Sequence, residues 1–110
     1  MADTPRSLAL QRIKEQIAAL NFATDALTVL LDDHKINPAL ADLRLRRLSA
    51  RRTDLRDARM SIIATGQVAN PPTAAQINEL RRRVADLYNW NRASDAIDML
   101  IGEAIVIATA

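Results

Sequence analysis

The chain has 110 residues, 49% of them hydrophobic, and a formal charge of +2. That is enough for one domain with a core. With no cysteine, disulfides, thiolate metal sites and cysteine nucleophiles are excluded, and two glycines and four prolines are too few for a turn-rich all-β domain. The only aromatic residues are Phe22, Tyr88 and Trp90. A chain rich in Ala, Leu and Ile suits helix-on-helix packing, where small residues allow close approach. Thirteen arginines against two lysines, with so much alanine, point to a GC-rich bacterial or phage genome.

The first residues, MADTPRSLALQRIKEQ, have no apolar run before their charges begin. A secretory signal is therefore not expected. No stretch approaches the roughly 20 apolar residues of a membrane span. The expected location is cytoplasmic.

The first helix is predicted over residues 5–34. Thr4 caps it, and Pro5 takes the first helical position, where a missing N–H costs nothing. Leu10, Ile13, Ile17, Leu20, Leu27 and Leu31, with Thr24 between Leu20 and Leu27, recur at steps of three and four, a heptad-like stripe. His34 follows two aspartates at the end of this helix. As the only histidine it reads as a structural residue beside a helix C-terminus, where positive charge is favoured.

Asn37 and Pro38 read as the N-cap and first residue of a second helix over 38–65, with Gly66 as its stop. Leu48, Leu55 and Ile62 form one ridge, flanked by Arg44 and Arg51 on one side and Arg52 and Arg59 on the other. Arg46, Arg47 and Arg56 point further out and are the candidate contacts for an external anion. Residues 37–66 carry seven bases and three acids, while the segments on either side are each slightly acidic.

Thr73 and Gln76 form a capping box for a third helix, predicted over 74–108 and the longest of the three. If the 66–73 loop joins antiparallel neighbours, Ile62 meets Ile77 and Leu55 meets Val84. The same register sets Arg59 against Glu79 and Arg52 against Asp86, with mirrored spacing. Internal ion pairs Arg52–Asp86 and Arg59–Glu79 are therefore expected. Along the third helix the apolar direction rotates near 89–91. Either the helix bends there, or its second half faces a different neighbour. The same register leaves residues 102–110 overhanging the bundle, so Trp90, Leu100, Ile101, Ile105 and Ile107 are the candidate partner interface.

The expected fold is all-α: a single domain, 1–110, built as an elongated antiparallel three-helix bundle with coiled-coil-like packing. A third helix packed on another subunit is the alternative. No Gly-rich phosphate loop, nucleophile elbow or Glu-x-x-His pair occurs, so neither an enzyme nor a cofactor, metal or small-molecule site is expected. The leading functional reading is a non-enzymatic assembly or protein-interaction subunit: a homo-oligomer, adaptor, chaperone or phage-type structural protein. The alternative is a nucleic-acid-binding helical module using Arg46, Arg47 and Arg56. A membrane contact through the tail ranks last, because the tail lacks flanking basic residues.

Overall fold

The computed structural model describes the backbone of residues 4–91 and 97–109, and side chains for 4–89 and 99–108. Four helices occupy them: α1 (Pro5–Asp32), α2 (Pro38–Thr65), α3 (Ala74–Asn91) and α4 (Ile97–Thr109). The expected three-helix bundle is thus corrected to four helices. The long third helix is two, and the change of apolar direction near 89–91 marks the end of α3, not a bend.

The helix ends follow from local chemistry. Thr4 Oγ1 accepts the Ser7 N–H at 3.0 Å, and Pro5 opens α1. At the other end His34 takes a left-handed conformation, φ 57°. Its N–H donates to Leu31, and the Lys35 N–H donates back to Leu30 at 2.8 Å. This pair of bonds is a Schellman closure, which satisfies carbonyls the helix leaves open. It stops α1 at Asp32, two residues before the expected end. Asn37 Oδ1 accepts from Ala39 and Leu40 to start α2, and Gly66 at φ 68° ends it. The predicted capping box forms in both directions: Thr73 N–H donates to Gln76 Oε1 at 2.9 Å, and Gln76 N–H to Thr73 Oγ1 at 3.2 Å.

Side-chain contacts fix the directions. Arg81 reaches both Gln11 and Glu15, and Tyr88 meets Phe22 edge-on with ring centroids 5.7 Å apart, so α3 runs parallel to α1. Arg83 of α3 is paired with Glu103 of α4. In one continuous helix residues twenty apart would be about 30 Å distant, so α4 must fold back antiparallel to α3. Arg6 of α1 donates to the Ile63 carbonyl and Arg52 of α2 to Thr24, which sets α1 and α2 antiparallel. The path is up-down-up-down, within 47 × 26 × 16 Å.

α1 is the centre. It packs against all three other helices, whereas α2 and α3 nowhere come within 8 Å of one another, Cα to Cα. The register that set α2 against α3 is therefore overturned. The 66–73 loop joins helices on different sides of α1. The central position explains the burial pattern of α1. Ile13, Leu20 and Leu27 are buried, and so are Ala9, Ala19, Ala23 and Ala26, which widen its apolar face well beyond one stripe. α2 touches the core along a narrow face: Ala41, Leu48 and Leu55 are buried, and Leu45 and Ile62 pack on the core beside them.

Candidate interaction surfaces

The expected tail interface lies mostly inside the protein. Because α4 folds back on α1, Leu100, Ile101 and Ile107 are at most 1% exposed, and Ala104 and Ala108 are fully covered. Ile105 is half-buried and packs on the same core. These residues are the chain's own fourth wall, and the described residues of α4 lie against the bundle and do not overhang it. The side chain of Trp90 lies outside the described residues.

What α4 does present outward are Met99, 70% exposed, and Val106, 52% exposed, with Gly102 between them on the same side of the helix. α2 runs parallel to α4, and Arg51 Nε donates to the Ala108 carbonyl at 2.9 Å, which sets their register. In that register the exposed Leu40 and Leu43 of α2 stand level with the first turns of α4. The sequence held the signal for this strip: Met99 and Val106 lie opposite Ile101, Ala104 and Ala108 at 100° per residue. It was missed because a single long helix placed this stretch beyond its neighbours.

The predicted cross-helix pairs do not form, because their helices do not meet. Arg52 Nη2 donates instead to Thr24 Oγ1 at 3.1 Å, and its Nε is buried without an acceptor. Glu79 pairs within its own helix, accepting from Arg82 Nη2 at 2.5 Å and Nε at 3.2 Å. The hydrogen bond from Arg82, aided by the charges of Arg82 and Arg83 against desolvation, holds the Glu79 carboxyl below its ordinary range. Asp86 lines a small hollow with Arg83, Leu87 and Glu103.

Among the outward arginines, Arg46 is tied to Asp42 one turn back at 3.0 Å. Arg47 and Arg56 are exposed and have no partner among the described residues. Arg59, Lys14 and Arg12 are likewise without one. Arg12 and the buried Gln16 line two grooves of about 480 and 470 Å³. The first lies against Pro72, Ile77 and Leu80, the second against α2 and residues 67–70.

Among the described residues, no group of three His, Cys, Asp or Glu side chains is placed to hold a metal ion, and no helix is long and apolar enough to cross a membrane. His34 serves the backbone at the end of α1. Family models, curated proteins and solved structures give no match to this chain, so its own geometry carries the functional reading.

Proposed function

We infer that the chain is a non-enzymatic helical interaction subunit that assembles with copies of itself. The supporting observation is the outward strip of α4, Met99 and Val106 with Gly102 between, beside Leu40 and Leu43 of α2. Large apolar side chains scattered singly are ordinary on a protein surface, but several on the outer side of two parallel helices suit an interface. The missing side chain at Gly102 lets a facing helix approach closely: a Cβ there meets nothing within 4 Å.

Sedimentation over a wide concentration range tests this. The expected result is reversible self-association that Met99→Glu/Val106→Glu abolishes while the circular dichroism melt is retained. A strictly monomeric protein at every concentration would overturn it. Nucleic-acid binding through α2 is the second reading. It is favoured by Arg56, exposed on α2 and without an anionic partner among the described residues.

A further inference from the structure

Two arginines tie α1 to α2 at opposite ends of their seam. Arg6 of α1 donates to the Ile63 carbonyl of α2 at 3.2 Å, and Arg52 of α2 donates to Thr24 of α1 at 3.1 Å. Between these ties on α2 stand Arg56 and Arg59, four and seven residues after Arg52. That spacing keeps them on the side of the helix from which Arg52 reaches Thr24. Between the ties on α1 stands the exposed Lys14, about 80° round the helix from Arg6 at 100° per residue. Arg51 marks the other flank of α2, since it reaches α4. Five cations thus follow one edge of the α1–α2 seam, opposite the apolar strip of α4.

Most of the acids that would answer them are elsewhere. Glu15 is the one acid on α1 between Arg6 and Thr24, and it is committed to Arg81 of α3. On α2, Asp54 lies on the Arg51 side, where it lines the groove against residues 67–70. Asp57 sits on the outer face, and Asp25 stands at the Thr24 end of the seam. None of these three has an ion-pair partner among the described residues. Lys14, Arg56 and Arg59 have none either. Unlike charges brought together by pairing, these are like charges held in a row, which fits an anion with repeating charge.

We propose that this edge of the α1–α2 seam, Arg6, Lys14, Arg52, Arg56 and Arg59, binds the phosphate backbone of a nucleic acid without reading its sequence. Arg52 and Arg59 are separated by about 10 Å along α2, a span that covers several charges of a duplex, which carries one per ~1.7 Å of axis. Guanidinium forks match phosphate oxygens in pairs. Among the described residues no aromatic side chain is placed on this edge for base stacking. Phe22 is buried and Tyr88 meets it edge-on on the α3 side, so the described edge offers contacts to backbone phosphates. The inference rests on the second reading above, to which it gives the site and the kind of contact, and it is independent of self-association through α4.

The test is fluorescence anisotropy with a labelled DNA duplex of arbitrary sequence, titrated with salt. Binding is expected at ~50 mM salt, with affinity falling steeply as salt rises, by about 0.9 log units per log unit of salt for each phosphate neutralised. Lys14→Gln/Arg56→Gln/Arg59→Gln should reduce the magnitude of that slope by about 2.7 and weaken binding at least about tenfold. Arg44→Gln/Arg46→Gln/Arg47→Gln removes the same charge from another part of α2 and should leave the slope nearly unchanged. Circular dichroism melts establish that both variants fold. No binding at low salt, an equal loss in both variants, or equally tight binding of polyglutamate or of anionic phosphatidylserine vesicles would overturn the proposal.

Discussion

Arg51 Nε and the carbonyl oxygen of Ala108 lie 2.9 Å apart, so the last turn of α4 is closed by a cation from another helix. α4 has no basic residue in its own last turn. The C-terminal end of a helix carries partial negative charge and open carbonyls, and both attract a guanidinium. A hydrogen bond from a charged donor contributes ~1.5–3 kcal/mol where solvent is excluded; this one is only partly buried. Arg51→Met keeps much of the aliphatic stem and removes the bond, and should cost about 1–2 kcal/mol in urea denaturation. Amide exchange should also quicken at the end of α4 before it does elsewhere. An unchanged midpoint and unchanged exchange would show that the bond contributes nothing.

Neighbouring residues on α4 should respond very differently to the same change. Ile107 is fully buried, while Val106 is 52% exposed. Ile107→Ala removes methyl groups from a packed core and leaves a cavity, at a cost of about 2–4 kcal/mol. Val106→Ala should fall within about 0.5 kcal/mol of the parent protein. Chemical denaturation of the two variants is a direct reading of which side of α4 faces inward. Equal effects would mean that α4 does not pack on α1 as described.

The contrast between 106 and 107 also shows what was legible in the sequence and what was not. Caps are local, so Thr4, Asn37, Gly66 and the Thr73–Gln76 box could be read from neighbouring residues, and each acts at its helix end in the structure. The ridge Leu48–Leu55–Ile62 was legible as well, because leucine and isoleucine mark a buried face. The rest depends on alanine. Ala19, Ala23 and Ala26 are buried on α1, with Ala104 and Ala108 buried on α4. Alanine scores well in a helix at any position, exposed or not, and so gives no direction. Reading only the large residues gave α1 one stripe and therefore one place in a ring of three, when it is the central helix. The ion-pair register then failed for a related reason. Arg52, Arg59, Glu79 and Asp86 mirror one another in spacing, but spacing along two helices does not say that they touch. Arg52 found a hydroxyl on α1, and Glu79 found Arg82 three residues away.

Two helix ends should respond in opposite directions to exchange at the same kind of backbone position. His34 and Gly66 both adopt left-handed conformations, at φ 57° and 68°, where an L side chain crowds the adjacent backbone. At Gly66 a Cβ would meet nothing within 4 Å, so the penalty of Gly66→Ala is purely conformational, about 1 kcal/mol. At His34 the strain is already present, and the side chain is exposed. His34→Gly relieves it while keeping the Schellman bonds from residues 34 and 35 to Leu31 and Leu30. It should stabilise by a few tenths to about 1 kcal/mol, the lower end applying because glycine also frees the unfolded chain. The check is a pair of urea titrations of the two variants beside the parent protein. Destabilisation by His34→Gly would show that the imidazole makes a contribution of its own to the end of α1.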